Sequence, residues 1–216
     1  MNYLYKHLLL LMKTKPFENA ILIFQWQPAT WKTTLVRNLY ADFRDIFTKI
    51  PIITKDWFKD AFFDSSPYDS SSEGKEIWRK YHAGFSYAAL AETGRILSRA
   101  GLPFVVDWNF SAQFDKHVKE WRKLRWGTRP LQILQVLIGC DPKILETRLR
   151  TRLANANPEE ISPANIILGV DTAIERIGTW WLPELSADHT ITVDNTDPKK
   201  AYPLIKEFVE QYYVSR

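Results

Sequence analysis

The feature that most constrains this chain is the recurrence of short strand-like segments separated by helical ones. The first, Ala20-Ile21-Leu22-Ile23-Phe24, is continuously apolar, as a strand buried on both faces requires. Four more follow, at Ile50–Thr54, Pro103–Asp107, Leu131–Ile138 and His189–Val193. Between the first two, Leu35, Leu39, Phe43 and Phe47 fall at i, i+4 spacing, the apolar stripe of a helix. Ser86–Ala100, with Gly101 as its C-terminal cap, is also helical in pattern, as are Ala112–Leu124, Pro142–Leu153, Pro163–Trp180 and Pro198–Tyr213. Strands alternating with helices predict an α/β fold of three layers: a mainly parallel five-stranded sheet with helices on both faces. Active sites in such sheets lie at the carboxyl ends of the strands.

A chain of 216 residues, 45% apolar and 25% charged, has enough core for one domain and excludes long disorder. We read residues 1–18 as a lead-in and 19–216 as a single domain. The stretches Asp64–Gly74, which is Ser-rich, and Asn155–Pro163 are surface loops that carry substrate choice. The net charge of +4, from 29 Lys and Arg against 25 Asp and Glu, suits an anionic small substrate, weak nucleic-acid contact or a plain solvated surface. One cysteine, Cys140, excludes an intrachain disulfide and points to a reducing compartment. The run Leu8–Met12 is too short for a bilayer span or a signal-peptide core, so a cytoplasmic location and no membrane contact are expected.

After the first strand comes Gln25-Trp26-Gln27-Pro28-Ala29-Thr30-Trp31-Lys32-Thr33-Thr34, and then a helix. A phosphate-cradling loop of the form G-x-x-x-x-G-K-[ST] needs that strand-loop-helix setting. Lys32 and Thr33 match its end, but Trp26 and Trp31 stand at its two glycine positions. Glycine is wanted there for its backbone freedom and for close approach of phosphate to main-chain N–H groups at a helix N-terminus.

The later strand ends add Thr54-Lys55-Asp56-Trp57, Val106-Asp107-Trp108-Asn109, Cys140-Asp141-Pro142 followed by Arg148-Leu149-Arg150-Thr151-Arg152, and Asp194-Asn195-Thr196-Asp197-Pro198. With these the sequence resembles the P-loop kinases related to polynucleotide kinase, chloramphenicol phosphotransferase and zeta-toxin kinases, across roughly residues 19–213. The resemblance implies a P-loop NTPase fold with a small helical lid at about 145–165. It implies Mg²⁺-dependent phosphoryl transfer from ATP to a hydroxyl of a small molecule or nucleotide. Pro28, Ala29, Thr30, Trp31, Lys32, Thr33 and Thr34 would then line the phosphates, with Thr33 and Asp107 on the metal. Asp56 would accept the hydroxyl proton, Arg148 would stack on the adenine, Arg152 would reach the transferring phosphates, and the turn at Asn195 would lie along the base. Plainer roles stand beside these: a helix N-cap for Asp56, a turn for Asp107, and a solvated face paired with Glu146 for the arginines.

Nine tryptophans against eight glycines is an unusual ratio; Trp26, Trp31 and Trp108 all fall at proposed site positions, and Trp57 adjoins Asp56. Three readings are open: a degenerate member without tight ATP binding, an altered version of an active parent, or an aromatic cleft for another ligand or for self-association. Trp121, Arg122, Arg125 and Trp126 mix basic and aromatic character, as nucleic-acid surfaces do, or belong to a helix that buries its tryptophans.

Overall fold

The computed structural model describes residues 20–26, 32–54, 83–107, 114–124, 132–155 and 183–214. Among these, the strands are β1 (Ala20–Trp26), β2 (Ile52–Thr54), β3 (Phe104–Asp107), β4 (Gln132–Gly139) and β5 (His189–Asp194). They form one sheet in the order β2-β3-β1-β4-β5, and every pairing is parallel. The described helices are α1 (Lys32–Asp42), α2 (Arg44–Phe47), α3 (Ala83–Arg99), α4 (Asp115–Lys123), α5 (Pro142–Ala154) and α6 (Pro198–Val209). A π-helical turn, Glu210–Val214, follows α6 where a continuous α-helix was expected.

Central β1 is buried at all seven positions, which accounts for its unbroken apolar run. Alternate residues feed two cores. Leu22, Phe24, Trp26, Val105, Leu134, Val136, Ile138 and Val193 pack with Leu35, Leu39, Phe43 and Phe47 of the α1–α2 region and Ala201, Ile205 and Phe208 of α6. Ile21, Ile23, Ile53, Phe104, Val106 and Ile133 pack with Leu90 and Ala91 of α3 and Phe114, Val118 and Trp121 of the α4 region. The sheet is thus covered on both faces, and the three-layer α/β reading holds.

Local chemistry marks the element ends. Gly101, at φ 68°, closes α3 with its N–H on the Ser98 carbonyl, a left-handed position that glycine adopts without strain. Asp141 Oδ1 accepts from the N–H groups of Lys143 (2.9 Å) and Ile144 (3.2 Å), starting α5. Asp197 does the same for α6 by accepting from Lys199 N–H at 3.0 Å, with Pro198 at the first helical position.

Three expectations change. The stripe Leu35–Phe47 is buried throughout, but the helix breaks at Phe43 (φ −116°, ψ 36°) and restarts as α2. Trp26, expected in a loop, is the last residue of β1, paired in register with Ile138 and 7% exposed in the α1-side core. Trp121 is 1% exposed, and its Nε1 donates to the Ala91 carbonyl at 3.1 Å, so it cannot join a nucleic-acid surface. Its neighbour Arg122 is held to the Ser186 carbonyl (2.7 Å) and to Asp188 (3.1 Å), while Arg125 and Trp126 lie outside the described residues. The expected helix Pro163–Trp180 also lies outside them. No described helix is long and apolar enough to cross a membrane.

Candidate active site

The carboxyl ends of the five strands line one edge of the sheet: Thr54, Asp107, Trp26, Gly139 and Asp194, in spatial order. The register places Asp107 opposite Phe24 on one side and Thr54 on the other. Its neighbour two residues back, Val105, belongs to the α1-side core, so strand alternation directs Asp107 to that same face. Tyr40 of α1 agrees with this placement. Its phenol is raised above the ordinary tyrosine value, first by burial and then by the charge of Asp107. A 9%-exposed carboxylate therefore stands beside the helix that begins with Lys32, Thr33 and Thr34.

Those three residues form the first turn of α1, directly after the 27–31 connection from β1. Their side chains, and Pro28, Ala29, Thr30 and Trp31 entirely, lie outside the described residues, as do Asp56, Trp57, Trp108 and Asn109. The described strand, helix start and buried acid fit a nucleotide with Mg²⁺. A hard carboxylate donor suits that ion, which takes few protein ligands and completes its shell with phosphate oxygens and water. No group of three or more His, Cys, Asp or Glu poised for a metal occurs among the described residues.

Toward β5 along that same carboxyl edge, the structure brings Arg148 and Asn195 together. Arg148 lies two turns into α5 and is half-buried. Its Nη1 donates to the Asn195 carbonyl at 3.0 Å, and its Nη2 to the Thr196 carbonyl at 2.9 Å. Nη1 also lies 3.3 Å from Cys140 Sγ. The Asn195 side chain is fully buried, and its N–H donates to the Gly139 carbonyl at 2.8 Å. Asp194 Oδ1 accepts from the Thr196 hydroxyl (2.6 Å) and the Thr196 N–H (2.8 Å). These two bonds, the hydroxyl first, hold the Asp194 carboxyl below its ordinary value, and the Arg148 charge adds to them. Arg152 is on α5 one turn further, with its side chain outside the described residues. Glu146 pairs with Arg150 at 3.0 Å.

Sequence reasoning missed the buried amides Gln25 and Gln135. Gln135 Nε2 donates to Gln25 Oε1 at 2.8 Å and to the Pro183 carbonyl at 3.1 Å, while its Oε1 accepts from Leu185 N–H at 3.0 Å. The available signal was a polar residue inside the apolar run 131–138, where both sheet faces are covered.

Several solved structures resemble this chain in fold. A protein of Chloroflexus aurantiacus J-10-fl provisionally assigned as a kinase aligns with a TM-score of 0.68 at 22% identity, covering 93% of this chain and 99% of its own. The PezAT toxin–antitoxin structure from Streptococcus pneumoniae aligns at 0.53 and 13% identity, over 99% of this chain and 86% of its own. A gluconokinase of Sinorhizobium meliloti 1021 aligns at 0.50 and 14% identity, over 93% and 97%. No protein-family model matches the sequence, and no curated protein matches it. The fold is that of the P-loop kinases.

Proposed function

We propose that the chain binds a nucleoside triphosphate with Mg²⁺ along the carboxyl edge of the sheet and transfers a phosphoryl group to a hydroxyl of a small molecule. The observation that carries this reading is buried Asp107 at the end of β3, on the sheet face covered by α1, whose Tyr40 feels the Asp107 charge and whose first residues are Lys32-Thr33. Residues 28–34 would hold the phosphates, Lys32 by charge and the loop by main-chain N–H groups. Thr33 and Asp107 would hold Mg²⁺, whose chemistry is to neutralise charge on the transferring phosphoryl group. Asp56, just beyond β2, is the proposed base for the acceptor hydroxyl. Arg152 is proposed to face the phosphates, and the base to lie against Arg148 and the Asn195–Thr196 turn.

The burial of Trp26 supports activity over degeneracy. Its ring is in the core under α1, so the departure from glycine at position 26 does not crowd the phosphate region. That leaves Trp31 as the departure that matters, and it keeps a second reading in view: a non-catalytic protein retaining the fold.

Titration calorimetry with ATP and Mg²⁺ separates the two. Binding by the wild-type chain, reduced at least about tenfold in Lys32→Ala and Asp107→Asn, is the expected result. No heat from the wild-type chain, but heat from Trp31→Gly, would establish the non-catalytic reading. Silence from both would remove the nucleotide assignment.

A further inference from the structure

The side chain of Gln135 is fully buried in β4, and its hydrogen-bonding capacity is used up. Its Nε2 donates to Gln25 Oε1 at 2.8 Å and to the Pro183 carbonyl at 3.1 Å. Its Oε1 accepts from the Leu185 N–H at 3.0 Å and, more loosely, from the Thr190 hydroxyl at 3.5 Å. A primary amide has two N–H donors and two lone pairs, so all four are engaged. Two of the partners cannot change role, because a carbonyl only accepts and a main-chain N–H only donates. They fix which way the amide points, and that orientation makes Gln25 the acceptor.

Gln25 lies where the strand is held least. The β1–β3 ladder ends at the pair Phe24–Asp107. Beyond it, among the described residues, only β4 pairs with Gln25 and Trp26, through Leu137 and Ile138. Two strands alone twist more freely than three. Here the side chains of the strand end restrain that twist from opposite faces. The Trp26 ring sits in the α1-side core. Gln25 follows Ile21 and Ile23 onto the α3 side, where Gln135 holds it. The 27–31 connection leaves the sheet from this point.

We propose that Gln135 is a positioning residue for the phosphate loop, a role that rests on the nucleotide reading given above. Through Gln25 it fixes the end of β1, and with it the start of the main chain whose N–H groups receive the phosphates. Those bonds weaken steeply with angle, so a small turn of the strand end lowers affinity. Pro183 and Leu185 anchor the amide from its other side, which makes the stretch entering β5 part of the same support.

The test is calorimetry on the full chain with Mg²⁺–ATP and with inorganic tripolyphosphate. The parent is the wild type or, if only that variant binds, Trp31→Gly. Gln135→Met keeps an unbranched side chain and removes the amide. At a temperature where circular dichroism shows it folded, its dissociation constants for both ligands should rise about tenfold over the parent's. Gly94→Ala is the control for lost stability, because its added Cβ meets the Trp121 ring and not this amide. It should bind within about twofold of the parent. A folded Gln135→Met with parental affinity overturns the proposal. So does an equal loss in Gly94→Ala, which would trace the effect to general loosening. If Gln135→Met does not fold, Gln25→Met cuts the link to β1 and leaves the bonds to Pro183 and Leu185 in place. The same loss is then expected, and parental affinity in that variant overturns the proposal. If neither parent binds either ligand, the nucleotide reading fails and this inference falls with it. If parent and variants bind alike, the reading survives and only the inference fails.

Discussion

Gln135 donates its side-chain amide to Gln25 at 2.8 Å, joining adjacent strands β4 and β1 inside the core, where both side chains are fully buried. The same amide accepts from Leu185 N–H and donates to the Pro183 carbonyl, so it stands in for a strand edge toward residues 183–185. Thr190 Oγ1 also donates to Gln135 Oε1, at 3.5 Å, so Gln135→Leu removes all four bonds at once. The expected cost is at least about 2 kcal/mol, because polar groups stay buried while a partner disappears. Urea unfolding of wild type and variant measures it, and a cost below about 0.5 kcal/mol would mean the network is replaceable.

Trp121 fills the space left by the missing side chain of Gly94, such that a Cβ there would overlap the ring. Trp121 also bonds the Ala91 carbonyl and meets Phe104 and Phe114 edge-on, which restrains it from retreating. Gly94→Ala should therefore destabilise by about 1–3 kcal/mol, despite the usual helix preference for alanine. A thermal melt that rose instead would show that the α3–α4 contact relaxes easily.

Asp42 ends α1 and accepts from both Lys206 (2.7 Å) and Tyr202 (2.8 Å) of α6. These hydrogen bonds, that of Lys206 first, hold its carboxyl below the ordinary value. A lowered carboxylate contributes stability that is present above its unfolded pKa, about 3.9, and lost as pH falls through the folded value. The advantage of wild type over Asp42→Asn should be constant from about pH 5 to 8 and should vanish toward about pH 2. Denaturant midpoints taken across that range test it. A difference that persisted in strong acid would assign the effect to packing and not to charge.

Trp26 and Trp31 both stand at glycine positions of the phosphate-loop pattern, but only Trp26 has a described role, in the core. Replacing it with glycine should cost at least about 3 kcal/mol, the loss of a buried ring, without improving nucleotide binding. Melting temperature and calorimetric titration of Trp26→Gly check both halves. Tighter binding from this variant would return Trp26 to the cleft.

Much of the fold was legible because burial on both faces writes itself into apolar runs, continuous at Ala20–Phe24 and broken only by Gln135 across residues 133–138. The acid at the end of β3 was legible too, since Asp107 terminates such a run. Partnership was not legible. Gln25 and Gln135 meet across 110 positions, and Arg148 reaches carbonyls 47 and 48 positions away. Periodicity records whether a residue is enclosed and says nothing of what it touches. The break at Phe43 escaped for a related reason, since all four stripe residues are buried with or without the kink. Trp26 was misplaced because motif matching assigned it to a loop, while its hydrophobicity and its register with Ile138 extend the strand by two residues.

The strand order has a consequence for how such a molecule can change. Thr54 ends β2 at one border of the sheet and Asp194 ends β5 at the other, with three strands between them. Four inter-strand spacings separate them by about 19 Å. At that distance the free energies of substitutions at the two borders should add. A lineage built on this sheet could therefore revise what happens beside β2 while leaving the turn held by Arg148 untouched, and each border could drift under its own selection.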